Sequence, residues 1–141
     1  MEERRKEGNI LKGKTVVIIE DPGVAKFLEK VLKKQSGEGV DFHLAHSPEA
    51  GFETLKKLNH VDLLILGRFS EIGPPFDAIY VAKFFREKFL RDGFFQAIML
   101  VTSGYNDLES WLGSVYHAFL PKPFRARDLW KLIEFYLSLQ S

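Results

Sequence analysis

Three uninterrupted apolar runs constrain the fold of this chain more than any other feature of its sequence. They occupy residues 15–19 (TVVII), 63–66 (LLIL) and 97–101 (AIMLV). Each run is too short for a buried helix, and none shows the alternation of a strand that has one face in water. Such runs are typical of strands that are buried on both faces of a parallel sheet.

Segments with helical spacing separate these runs. The predicted helices cover residues 22–35, 48–58, 76–91 and 107–112, and a closing amphipathic helix follows Pro123. Residues 40–44 alternate like a half-exposed edge strand, and residues 117–120 form a last strand. Five strands that alternate with five helices predict a doubly wound α/β fold with helices on both faces of the sheet.

Length and composition predict one domain. The 141 residues are 45% hydrophobic, which is enough to build a core, and we expect residues 14–141 to form it behind a flexible, charged arm of residues 1–13. The chain has no cysteine, which excludes thiol nucleophiles, disulfides and thiolate metal sites. No apolar stretch approaches the length of a membrane span, and the start is too charged for a signal peptide, so we expect a cytoplasmic protein with no membrane partner.

The charge balance argues against nucleic acid as a partner. The formal net charge is only +1, and the lysines at positions 26, 30, 33 and 34 are typical of a solvated helix face. Gly-rich phosphate-binding motifs are absent from the sequence. His43 and His46 point to opposite faces of a strand, and His60 and His117 lack ligand partners nearby, so we expect no histidine metal site.

The functional candidates follow the ends of the strands. In a doubly wound sheet, ligands and chemistry gather outside the carboxyl ends of the strands. The residues expected to converge there are Glu20, Asp21, Gly67, Thr102 and Lys122.

Four segments give this pattern a specific resemblance. VVIIED (16–21), VDLLILG (61–67), IMLVTS (98–103) and LPKPF (120–124) resemble the first, third, fourth and fifth strands of response-regulator receiver domains, in the right order and separation. The resemblance covers about residues 14–139. It implies a flavodoxin-like sheet of strand order 2-1-3-4-5 and a role in two-component signal transduction or a phosphorelay.

The resemblance also implies a degenerate phosphorylation pocket. In receiver domains the third strand ends in the aspartate that accepts a phosphoryl group, and Mg²⁺ is held by that aspartate and the acidic pair. Here the matching residue is Gly67, which has neither a nucleophile nor a metal ligand. Glu71, in the following loop, is the alternative acceptor or phosphoryl mimic.

The rest of the pocket is expected to be locked. Glu20 and Asp21 alone make a poor Mg²⁺ site, so we expect weak binding or none and no other cofactor. Ion pairing of this acidic pair with Lys122 or Arg68 is favoured over a retained metal. Phe119 matches the aromatic switch position of receivers, and an inward Phe119 would give no phosphorylation-driven switch.

The chain has more aromatic residues than one small core needs, and the surplus supplies the candidates for a protein–protein interface. Tyr80 and Phe84 form a second apolar stripe on the helix over residues 76–91, which either packs under the loop before it or binds another protein. Trp111 and Trp130 lie where receiver domains usually dimerise or meet targets, and tryptophan is a frequent interface anchor.

These observations lead to one hypothesis and one alternative. The hypothesis is a pseudo-receiver that is not an enzyme and that acts by phosphorylation-independent docking, as a homodimer or with a histidine kinase or an output protein. The alternative is a small flavodoxin-like enzyme or ligand-binding protein whose ligand meets Lys122, Thr102 and Glu20 in the crevice at the strand carboxyl ends.

Overall fold

Five parallel strands form a single sheet in the order β2-β1-β3-β4-β5. The computed structural model describes residues 10–67, 77–93, 95–103 and 116–139. The strands are β1 (Thr15–Ile19), β2 (Asp41–Ala45), β3 (Leu63–Gly67), β4 (Ile98–Ser103) and β5 (Ala118–Pro121). The predicted strand order is therefore confirmed, and the half-exposed β2 lies at an edge as its alternation indicates.

Four helices accompany the sheet within the described residues. They are α1 (Pro22–Ser36), α2 (Pro48–Lys57), α3 (Ala78–Phe89) and α4 (Ala126–Leu137). The expected helix over residues 107–112 lies outside the described residues. None of the four has the length and apolarity to cross a membrane.

The sheet separates two apolar cores, because successive side chains of a strand point to opposite faces. Val17 and Ile19 of β1 face a core that includes residues of α2 and α3, such as Leu55 and Phe85. Val16 and Ile18 face the second core, to which α1 and α4 contribute. Helices therefore cover both faces, which confirms the doubly wound α/β fold.

Side chains fix the ends of α2 and α3. The Ser47 hydroxyl oxygen accepts a hydrogen bond from the Ala50 N–H at 3.1 Å, and an Asp77 carboxylate oxygen accepts one from the Tyr80 N–H at 2.8 Å. At the other end of α2, the Lys88 ammonium group of α3 donates to the carbonyl oxygens of Leu55 and Lys56 at 2.8 and 2.9 Å. The two hydrogen bonds of Lys88 therefore hold α3 against α2.

The packed part of the chain begins earlier than Lys14, the predicted start of the domain. Leu11 is fully buried in the core between the sheet and the α1–α4 layer. The Gly13 N–H also donates to the Gly39 carbonyl oxygen at 2.7 Å. Residues 10–13 are thus part of the fold, and residues 1–9 of the expected arm lie outside the described residues.

Two aromatic residues on the helices differ in their burial. Trp130 of α4 is only 7% exposed and packs in the core between the sheet and the α1–α4 layer. The prediction that it lies on an interface is corrected by this burial. Phe27 belongs to the apolar stripe of α1, yet it is 46% exposed because Ala25, Leu28 and Leu32 form the centre of the buried face. Trp111 lies outside the described residues.

A close approach between α2 and β1 leads to a stability prediction. A Cβ atom added to Gly51 would lie 2.9 Å from both Cγ1 and Cγ2 of Ile19, the residue before Glu20. Gly51→Ala should therefore destabilise the protein by about 1 kcal/mol, since overpacking outweighs the helix propensity gained. Gly23→Ala in α1 is the control, because a Cβ there meets nothing within 4 Å. Urea denaturation that finds the two variants equally stable would contradict this contact.

Candidate functional site

The strand order brings the expected polar residues to one edge of the sheet. Glu20 directly follows β1, Gly67 ends β3 and pairs in register with Thr102 of β4, and Lys122 directly follows β5. All of these strands run in the same direction, so their carboxyl ends meet at this edge. We call it the carboxyl edge.

Glu20 is the centre of the carboxyl edge. Its side chain is only 2% exposed, and its Oε2 atom accepts a hydrogen bond from the Thr102 hydroxyl at 2.5 Å. The same oxygen lies 2.7 Å from the Lys122 ammonium nitrogen. Pairing of the acidic residues with Lys122 or with Arg68 was the prediction, and the pair with Lys122 is present for Glu20. It compensates a carboxylate that burial alone would disfavour.

The Glu20 carboxylate lies directly over Gly67. A Cβ atom added to Gly67 would lie 2.5 Å from both carboxylate oxygens of Glu20, which is closer than non-bonded atoms approach. A side chain at position 67 would therefore fit only if the carboxylate left its contacts with Thr102 and Lys122. The pattern of strand ends predicts that these residues lie together, but it does not reveal which side chain turns inward over Gly67.

Asp21 has a different environment from its neighbour. Its side chain is exposed, and it occupies the position before the first turn of α1. Its backbone N–H donates to Oε1 of Glu20 at 3.0 Å. The acidic pair is thus divided into one buried and one solvent-facing carboxylate.

Phe119 and His46 complete the surroundings of the edge. Phe119 is half-buried and packs against the core between the sheet and the α2–α3 layer. The His46 Nδ1 donates to the Glu20 carbonyl oxygen at 3.2 Å. This bond holds the backbone of Glu20 independently of its side chain.

An apolar groove opens beside Lys122. It has a volume of about 470 Å³, and its lining residues are Gly23, Val24, Phe27, Lys122, Pro123 and Phe124. The groove lies between the start of α1 and the segment after β5. In the sequence, the signal for this groove is Phe27 at the margin of the amphipathic stripe of α1. An aromatic residue in that position extends the apolar surface toward solvent.

Solved structures with this arrangement of strands and helices include receiver domains of response regulators. A two-component response regulator from Clostridium difficile matches with a TM-score of 0.72 and 20% identity, over 91% of this chain and 99% of that chain. A response regulator from Thermotoga maritima matches with a TM-score of 0.67 and 21% identity, over 89% and 98%. A CheY-like receiver domain from Methylobacillus flagellatus matches with a TM-score of 0.64 and 15% identity, over 87% and 98%.

The chain has the receiver fold. No protein-family model and no curated protein matches the sequence, so the likeness is one of structure. The receiver fold places the first strand between the second and the third, with Glu20, Gly67 and Lys122 at the carboxyl edge. This is the edge at which the resemblance in sequence places the phosphorylation pocket of receiver domains.

Among the described residues of this edge, the side chains offer a magnesium ion a single solvent-facing carboxylate, that of Asp21. Mg²⁺ requires oxygen ligands in near-octahedral geometry, usually from one or two carboxylates with several waters. The Glu20 carboxylate is buried and engaged by Thr102 and Lys122, and Gly67 supplies no oxygen from a side chain. Across the described parts of the chain, no three His, Asp or Glu side chains are grouped so that they could hold a metal ion.

The remaining histidines have separate contacts. A ring nitrogen of His43 lies 2.9 Å from a carboxylate oxygen of Asp41, and one of His60 lies 2.8 Å from a carboxylate oxygen of Asp62. His117 is buried, and its Nδ1 accepts a hydrogen bond from the Met99 N–H at 2.9 Å. The first two contacts are local, between residues two positions apart, whereas that of His117 connects β4 with the residue before β5.

The second apolar stripe of α3 packs partly against α2. The Phe84 ring centroid lies 4.8 Å from that of Phe52, and the Tyr80 centroid lies 5.3 Å from it. Phe84 is half-buried, whereas Tyr80 is 43% exposed. The two interface candidates thus share a contact with α2, and Tyr80 presents more of its surface to solvent.

Proposed function

We propose that this protein is an atypical receiver-like module of two-component signal transduction that docks to another protein without being phosphorylated. The observation that carries the proposal is the Glu20 carboxylate over Gly67. A phosphoacceptor side chain and this carboxylate require the same volume. The edge that would change on phosphorylation is instead filled from within the chain.

We further propose that the protein is not an enzyme and uses no metal ion. A phosphoryl group that moves to a receiver needs a nucleophile and cations around its developing charge. The half-buried Lys122 of this edge is paired with Glu20, and the solvent-facing Asp21 is a single carboxylate. These features support a pseudo-receiver in which the pocket is structural.

The proposed partner is a protein in the cytoplasm. A histidine kinase, an output protein and a second copy of this chain are the partner classes that the receiver fold suggests. Tyr80 offers an exposed aromatic ring next to Phe84, and aromatic residues are enriched in interfaces. The expected contact through Trp111 lies outside the described residues and remains part of the proposal.

The proposal predicts that a phosphodonor leaves the protein unmodified. After incubation with Mg²⁺ and acetyl phosphate, intact-mass measurement should give the unmodified mass, while a conventional receiver treated alongside gains one phosphoryl group. A phosphoryl adduct mapped to Glu71, or to any other residue, would overturn docking without phosphorylation. Partner capture from a lysate is the next experiment when the mass is unchanged.

The groove beside Lys122 favours one second candidate function. A flavodoxin-like ligand-binding protein or small enzyme would hold a partly apolar metabolite there, against Phe27 and Phe124. Such a ligand should raise the melting temperature saturably, because it binds only the folded state. A metabolite panel without any such shift, together with capture of a protein partner, would favour the docking module.

A further inference from the structure

Three donors from three parts of the chain converge on the carboxylate of Glu20. They are the Thr102 hydroxyl at 2.5 Å, the Lys122 ammonium group at 2.7 Å and the Asp21 backbone N–H at 3.0 Å. Donors that surround one small anion in this way form hydrogen bonds to charge, which are stronger than neutral ones. The donors thus define an anion site, and the anion present is a side chain.

The walls of this site are largely buried and closely fitted. Glu20 is 2% exposed and Thr102 is fully buried, while Lys122 reaches the surface with 27% of its side chain. Gly67 forms the floor, and a single added Cβ would contact both carboxylate oxygens. The volume therefore accepts one carboxylate and nothing larger from that side.

The backbone of Glu20 is anchored apart from its side chain. Its N–H donates to the Ala45 carbonyl oxygen at 3.0 Å, and its carbonyl oxygen accepts from His46 Nδ1 at 3.2 Å. Removing the side chain beyond Cβ therefore leaves the backbone bonds and all three donors in place. The missing atoms are two carbons and two oxygens, the same set of heavy atoms that acetate contains.

We propose that Thr102, Lys122 and the Asp21 N–H form a binding site for small carboxylate anions, and that Glu20 occupies it as a tethered internal ligand. The inference rests on the proposed function, because the tethered ligand is what keeps the edge in one state. It adds that the three donors bind a free carboxylate once the side chain of Glu20 is removed.

The test is chemical rescue of Glu20→Ala. Its melting temperature should fall relative to the wild type in chloride, and it should rise by about 5 °C in a saturable manner as acetate replaces chloride at constant ionic strength. Acetamide, which has the same shape without the charge, should give no such rise. The wild type should not respond to acetate, because its site is filled.

Two further variants separate a site from a general salt effect. Glu53→Ala removes an exposed glutamate that pairs with Lys56 on α2, and it should show no response to acetate. Glu20→Ala combined with Lys122→Met should lose the response of the single variant. An equal acetate response in all variants, or none in Glu20→Ala, would overturn the anion site.

Instability of the variant does not prevent the test. Where Glu20→Ala is unfolded in chloride, acetate should restore the folded fraction measured by circular dichroism, and a failure to do so counts against the site. Rescue is independent of the phosphodonor experiment. A lack of rescue with an unmodified wild-type mass removes the anion site alone, whereas a phosphoryl adduct on the wild type removes the proposed function.

Discussion

Gly67→Asp should destabilise the protein by about 4 kcal/mol instead of simply restoring a phosphoacceptor. The new Cβ would lie 2.5 Å from both carboxylate oxygens of Glu20, and overpacking of a filled site costs about 1–3 kcal/mol. A second carboxylate beside a buried one adds repulsion and desolvation to this cost. Urea denaturation of the variant and the wild type measures the difference in unfolding free energy.

Two variants make this expectation specific to Glu20. Gly23→Asp introduces the same side chain at a glycine where a Cβ meets nothing within 4 Å, and its stability should stay within about 0.5 kcal/mol of the wild type. In a Glu20→Ala background, Gly67→Asp should cost at least about 2 kcal/mol less than it does alone. Additive effects of the two substitutions would show that the two side chains do not share a volume.

Lys122→Ala should destabilise the protein by about 3 kcal/mol. Its ammonium group is 2.7 Å from a Glu20 carboxylate that is 2% exposed, so truncation leaves a buried charge with less compensation. The partial exposure of Lys122 keeps the effect toward the lower end of the range for broken buried pairs. Thermal or urea unfolding measures the loss.

An exposed ion pair supplies the matched control for Lys122. Lys33 pairs with Glu29 at 3.2 Å on α1, and its side chain is 57% exposed, so Lys33→Ala should cost less than about 0.5 kcal/mol. Melting behaviour of Lys122→Ala equal to that of Lys33→Ala would mean that Glu20 does not depend on the ion pair. In a Glu20→Gln background the cost of Lys122→Ala should shrink, since the buried charge is gone.

The sheet could be predicted from sequence because each strand has a distinct pattern. The runs at β1, β3 and β4 lack polar alternation, since both of their faces are covered, whereas β2 alternates because it lies at an edge. Leu11 escaped the prediction because Ile10 and Leu11, two apolar residues between polar neighbours, are too few to show a periodicity. Its burial depends on where the sheet ends, which local sequence does not reveal.

The candidate site was predictable as a set of residues but not as a geometry. Parallel strands bring Glu20, Thr102 and Lys122 to one edge, and the opposite charges favour the ion pair. Which carboxylate of the acidic pair turns inward depends on the space over Gly67 and on the start of α1 at Pro22. The burial of Trp130 could not be predicted for a similar reason. An amphipathic pattern shows which helix face a residue occupies, but it does not show how deep in the core the residue lies.

Glu20 follows β1 and Gly67 ends β3, but the Glu20 carboxylate fills the space that a side chain at position 67 would need. A change at either position therefore affects the other. An aspartate that appears first at position 67 meets the carboxylate already present. Loss of that carboxylate first leaves Thr102 and Lys122 without their common acceptor. Both orders of substitution toward a receiver with an acceptor should thus pass through a less stable intermediate. Two coupled changes separate the present pair from the conventional arrangement.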